Sequence, residues 1–176
     1  MPFPTGWKTA GDLQDWRQAY DISPIVPGPA DAGRIPWSRC LSSDLDRALD
    51  TAGRLHRGPI ETSALLREPG FQTFATGRLR LPVTVWVWMV RLAWFTGHRS
   101  QRASRDEFLQ RVGAVADLLE QSTVDTLVVS HAGMMTYLSA ELRRRGFRGP
   151  RLRLPKHAIL HLYTRDPRSE PSLPPH

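Results

Sequence analysis

Thr126-Leu127-Val128-Val129-Ser130-His131-Ala132-Gly133 carries an apolar, β-branched run into a histidine and then into two small residues. The run, with Thr123 at its start, has the composition of a buried parallel strand. The residues that follow, 134–145, have helical character and are closed by Gly146, a residue suited to the left-handed turn past a helix end. A strand feeding a helix in this way places His131 beyond the carboxyl end of a strand, where open α/β sheets bind ligands and helix N-termini attract anions. Ala132 and Gly133 let the backbone approach a bound oxyanion closely. Locally, two readings stay open: a functional histidine, or one that merely caps the helix or fills a strand end.

Outward from this stretch, the hydrophobic pattern alternates between strand and helix. Residues 12–20 place Leu13, Trp16 and Tyr20 on one helical face, and residues 22–36 form a Pro- and Gly-rich connection. A short strand is expected over 37–41. Ser42, Ser43 and Asp44 are good capping residues for a helix over 44–55, which ends at His56-Arg57-Gly58-Pro59. A second short strand is expected over 60–66. A helix is expected over 105–121, where Phe108, Val112, Val115, Leu118 and Leu119 recur at helical intervals. Residues 158–163 are a last strand candidate. The tail, 164–176, has four prolines and no apolar period, so disorder is expected there. Together these segments predict one α/β domain over 1–163, a three-layer sandwich on a mainly parallel sheet.

Composition narrows the setting. A chain of 176 residues, 40% hydrophobic, is sized for one core. Cys40 is the single cysteine, so no internal disulfide can form, and Met1–Thr5 lacks the features of a signal peptide. A cytoplasmic setting is the expectation. Residues 81–97 are the longest apolar stretch, but Pro82 and Arg91 leave it shorter than a membrane span of about 20 residues. Trp86, Trp88 and Trp94 would also suit a membrane interface; a helix that is buried or covers the pocket is expected instead, with no membrane partner. The net charge of +7 is almost all arginine, since Lys8 and Lys156 are the only lysines. That charge attracts anions without choosing among phosphate esters, nucleic acid and acidic partners. Arg143, Arg144, Arg145, Arg148, Arg151 and Arg153 have too little aromatic interleaving for a single-strand platform, and cations suit a helix C-terminus anyway. Nucleic acid is therefore not the expected partner.

Two other positions carry possible chemistry. Arg47 falls in the first turn of a helix, where a cation opposes the dipole unless an anion is bound or Asp44, Asp46 or Asp50 pairs with it. Glu68 ends a short strand, where a buried carboxyl could donate a proton and an exposed one would do nothing.

In their order and surroundings, Ser42-Ser43-Asp44-Leu45-Asp46-Arg47-Ala48 with Thr51-Ala52, Leu66-Arg67-Glu68, and Val128-Val129-Ser130-His131-Ala132-Gly133 resemble the histidine phosphatase superfamily, also called phosphoglycerate-mutase-like. The resemblance extends from about Leu13 to Tyr163. It implies that His131 hydrogen-bonds the phosphoryl oxygens with the backbone at Ala132, that Arg47 neutralises their charge, and that Glu68 protonates the leaving group. It implies no metal and no cofactor, and a small phosphorylated molecule or inorganic phosphate as ligand. In such a pocket catalysis is mostly positioning and charge stabilisation.

One departure stands out. The family's nucleophile is a histidine in an Arg-His-Gly motif on a central first strand, and no histidine precedes His56 in this chain. His56 follows the helix that carries Arg47, at the wrong end for the pocket, and His98, His157 and His161 do not lie in strand-to-helix turns. Covalent phosphohistidine chemistry therefore has no evident nucleophile. Two explanations are open: an authentic start upstream of Met1, or a phosphate-binding pseudoenzyme. Loss of a central strand would leave a neighbouring edge unpaired. Oligomeric state and substrate identity are not legible.

Overall fold

The computed structural model describes residues 2–21, 31–33, 35–70, 74, 76–153, 155–156 and 159–165. Its centre is a parallel sheet of three strands in the order β3-β2-β5, formed by β2 (Arg39–Ser43), β3 (Ile60–Ser63) and β5 (Thr126–Val129). Cys40 aligns with Ile60 on one side and Leu127 on the other, and Ser42 with Thr62 and Val129. With partners on both edges and helices over both faces, Cys40, Leu41, Ser42 and Ser43 are all buried. A separate antiparallel pair joins β1 (Trp7–Lys8) to β4 (Leu81–Pro82).

Side chains alternate across the sheet, as the strand period of two requires. On one face Cys40, Leu127 and Val129 pack against Ala48 and Ala52 of α2 (Asp46–Leu55). On the other, Leu41 and Val128 meet α4 (Arg99–Glu120) and α5 (Ala132–Arg144), through Phe108, Val112, Val115, Met134 and Leu138. Phe108, Val115 and Met134 are wholly enclosed, each contributing about 1.5–3 kcal/mol relative to exposure. This is the expected three-layer arrangement on a parallel sheet. Two further helices are α1 (Ala10–Asp21) and α3 (Val83–Phe95), the latter packed on α4 with Trp94 in the core.

Several boundaries differ from the sequence pattern. The strand expected over 37–41 runs two residues later, because Trp37 is drawn into the α2 face, donating its indole N–H to the Ala32 carbonyl, while Ser42 and Ser43 continue the ladder. Consequently α2 starts at Asp46 with Leu45 as its cap, not at the serines. The strand expected over 60–66 stops at Ser63, whose hydroxyl accepts the Leu65 amide and turns Ala64–Leu66 into a 3₁₀ turn. The helix expected from 105 begins at Arg99, since His98 caps it by accepting from the Ser100 amide.

Residues 159–163 form no ladder strand among the described residues; the next residue, Thr164, bridges Arg148 instead. A groove of about 1160 Å³ lies between this segment and β5, and both line it. Among the described residues β5 pairs only with β2 and is thus a sheet edge. The tail expected to be disordered lies, from residue 166 on, outside the described residues.

Candidate functional site

Because β2 and β5 are adjacent and parallel, their carboxyl ends come together. The groove runs along the outer edge of β5, lined by residues 122–132, and so takes in His131 just beyond the strand's carboxyl end. His131 is the backbone cap of α5, with its carbonyl accepting from the Met135 amide, but its side chain makes no capping bond. The ring turns to Ser43 at the end of β2, with Nε2 and the hydroxyl 3.0 Å apart. The Ser43 oxygen also accepts the Leu45 amide at 3.4 Å. Both residues are buried, so this contact fixes the plane of the imidazole in a place where an unpaired ring nitrogen would be penalised. Of the readings left open by the local sequence, side-chain capping is thereby removed, since the ring makes no capping bond.

The capping role falls to Glu68, whose Oε1 accepts the Gly133 amide at 3.3 Å. A carboxylate thus sits at the α5 N-terminus, where the helix dipole favours negative charge. Gly133 makes this approach possible, since a Cβ there would stand 3.0 Å from the Pro69 ring. The loop holding Glu68 is fixed from α4. One guanidinium, Arg111, donates to the carbonyls of Ala64, Leu65 and Arg67, and through Nη2 to that of Glu68 at 3.3 Å. Burial lowers the Arg111 pKa from its ordinary value. From the other side, Arg17 of α1 donates to the Pro69 carbonyl at 2.9 Å.

Arg47 is the second residue of α2 and lines the same groove as Glu68, His131 and Ala132. Its guanidinium lies 4.5 Å from the centre of the Tyr20 ring and donates to the Tyr20 carbonyl at 3.4 Å. Asp44, one of the acids that could have paired with it, grips Arg67 in a two-pronged bond of 2.7 and 2.6 Å. That bond holds the Asp44 carboxyl below its ordinary pKa, with nearby His131 adding a smaller pull.

The structure therefore gathers all four residues singled out in the sequence around one groove. His131 and Glu68 meet at the first turn of α5, while Arg47 reaches in from α2. Pattern reasoning did not single out Ser43 as the partner of His131, nor Arg111, Arg17 and Tyr20. Arg111 had one visible signal, a charged residue wedged between Phe108 and Val112 on the apolar face of α4. Trp86, Trp88 and Trp94 do not line the groove, so the covering role is not met; the buried role holds for one side of α3, which packs on α4 with Trp86 and Trp94 enclosed.

Of the other histidines, His56 caps the far end of α2 and His98 the start of α4, and His157 and His176 lie outside the described residues. His161 lines the groove, with Nε2 enclosed and without a hydrogen-bond partner among the described residues. Among those residues, no three His, Cys, Asp or Glu side chains gather to hold a metal ion. Half of the arginine run that raised nucleic-acid binding is occupied within the chain. Arg144 and Arg145 clasp Glu141, Arg145 also engages Asp117 and Glu120, and Arg143 bonds the Gly149 carbonyl.

No curated protein and no solved structure gives a significant match to the chain. The model of the histidine phosphatase superfamily, branch 1, matches residues 30–170, a span that takes in β2, the Glu68 loop and the His131 turn. On that match the chain belongs to the histidine phosphatase superfamily.

Proposed function

We propose that the groove beside β5, where His131 lines it, binds the phosphoryl group of a small organic phosphate, and that residues 1–176 bind it without appreciable turnover. The observation that carries this reading is the His131 ring, clamped by Ser43 at a helix N-terminus that opens into a groove shared with Arg47. In it Arg47 neutralises the phosphoryl oxygens, and His131 and the Ala132 backbone hydrogen-bond them. Glu68 is the group placed to give a proton to a leaving oxygen. It now occupies the Gly133 amide, so an incoming anion competes with its carboxylate for the head of α5. The expectation of no turnover rests on residues 1–176 alone, where no histidine stands in an Arg-His-Gly motif to act as nucleophile.

Thermal unfolding with phosphate or vanadate tests the binding. A ligand at about ten times its Kd should stabilise the fold by about 1.4 kcal/mol, and Arg47→Ala and His131→Ala should each remove that gain. No shift at millimolar ligand would overturn the reading. Hydrolysis of p-nitrophenyl phosphate should stay at background.

One observation favours a catalytic alternative, namely the enclosed His161 Nε2 in the same groove, without a hydrogen-bond partner among the described residues. If hydrolysis is found, and His161→Ala abolishes it while phosphate binding survives, then His161 is the nucleophile and the non-catalytic reading fails.

A further inference from the structure

Helix α3 is apolar on both sides, with Thr84 and Arg91 its only polar residues. One side is already seated. Val83, Trp86, Ala93 and Trp94 are buried, the Trp86 indole donates to the Lys8 carbonyl at 2.8 Å, and that of Trp94 to the Tyr137 hydroxyl at 2.7 Å. The opposite side is a stripe of Val85, Trp88, Met89, Leu92 and Phe95, at the spacing that keeps residues on one helical face. It is open: Trp88 is 71% exposed, Leu92 64% and Phe95 72%. Large apolar side chains in a continuous exposed row mark an interaction surface, not the scattered exposure normal for a protein.

Charge identifies the partner. No acidic residue occurs between Glu68 and Asp106, whereas six arginines do, nearly matching the net charge of +7 of the whole chain. Arg78 and Arg80 precede α3, Arg91 lies on it, and Arg99 and Arg102 follow it, all five exposed. A second copy of the chain would bring two such arginine-rimmed stripes face to face, and like charges would oppose the contact. An anionic bilayer satisfies both halves of the surface. Its headgroups attract the arginines, and its interface takes up tryptophan, leucine and phenylalanine side chains. At 13 residues α3 is about 20 Å long, short of the hydrocarbon thickness, and no helix among the described residues is long and apolar enough to cross a membrane.

We infer that the exposed stripe of α3 seats the protein on an anionic phospholipid surface, with the helix lying in the plane of the interface. This gives the tryptophan-rich segment a place on a lipid surface in place of the pocket-covering role expected from sequence.

Co-sedimentation with vesicles tests it, comparing phosphatidylcholine alone with phosphatidylcholine containing about one third phosphatidylglycerol, at physiological salt. The full chain should bind the anionic vesicles selectively, with its tryptophan emission shifting to the blue. Replacing Trp88, Leu92 and Phe95 together by alanine should weaken binding by about tenfold or more. Removing the charge of one arginine, as in Arg91→Gln or Arg99→Gln, should weaken it by about fivefold. The Tm of each variant should match that of the parent, so that lost binding is not lost fold. Equal binding to both vesicle types, or none to either, would overturn the inference. So would a dimer, seen by light scattering, that the triple variant dissolves, because the stripe would then belong to a second copy.

Discussion

The carboxyl ends of β2 and β5 and the outer side of α3 invert the usual partition of side chains in opposite directions. At the strand ends polar groups are buried: Ser42, Ser43 and His131 are enclosed beside Cys40 and Leu127. On α3 apolar groups are exposed, with Trp88 and Phe95 facing outward. The first inversion is satisfied within the chain, because the hydroxyl of Ser43 meets the His131 ring and that of Ser42 donates to the Ser43 carbonyl. The second has no such answer among the described residues. A buried polar group with partners describes how a site is held; an exposed apolar row describes what the molecule has yet to meet.

The sharpest way to break this contrast uses two tryptophans, two residues apart on α3. Trp86 is 1% exposed, so Trp86→Ala should destabilise the protein by about 3–5 kcal/mol, whereas Trp88→Ala should change stability by no more than about 0.5 kcal/mol. Chemical denaturation of both variants measures the difference, and equal losses would mean that the stripe is not open. At the strand ends, Ser43→Ala leaves an enclosed imidazole without its hydroxyl partner. A loss of about 1–3 kcal/mol is expected, together with a change in the nitrogen chemical shifts of His131. Unchanged shifts would show that Ser43 does not hold the ring.

A smaller effect is expected between the two extremes, where Glu141 is partly covered by Arg144 and Arg145. Those arginines, with Arg144 the stronger influence, hold its carboxyl at about 2, against an ordinary value of 4.5. A lowered carboxyl pKa gives stability that is complete above the unfolded value and is lost as pH falls through the folded one. The loss should therefore run from about pH 4.5 down to about pH 2. It should amount to about 1–2 kcal/mol, after allowance for the solvent around the exposed Arg144. Unfolding curves of Glu141→Gln should be flatter across that window than those of the parent.

What sequence could reveal follows the range of the interactions. The helical stripe of α4, the β-branched run of β5 and the helix after His131 are local patterns, and they place those elements within a few residues except at the start of α4, which lies six residues before the expected one. The family resemblance rested on short motifs, so Arg47, Glu68 and His131 were visible as candidates, and the family match covers all three. Ser42 and Ser43 were misread because serines before a helix normally cap it. Here a strand paired on both edges extends through them. The bond from Ser43 to His131 spans 88 residues, and those from Arg111 to the Glu68 loop span more than 40, so no local window contains them. The two sides of α3 were equally hidden, since nearly every position on it is apolar. Only packing distinguishes the Trp86 side from the Trp88 side.

The Arg111 clamp makes the site mechanically dependent on the helical layer. Glu68 hangs from α4 through a guanidinium that holds four carbonyls, whereas His131 rides at the head of α5. The spacing between the carboxyl group and the imidazole is thus set partly by how α4 and α5 nest, through Phe108, Val112 and Leu138. Close-packed interiors transmit the loss of a single methylene as displacement. In engineering terms the groove is a gauge whose jaws are two helices. Its aperture can be adjusted from the interior, at positions that never touch a ligand.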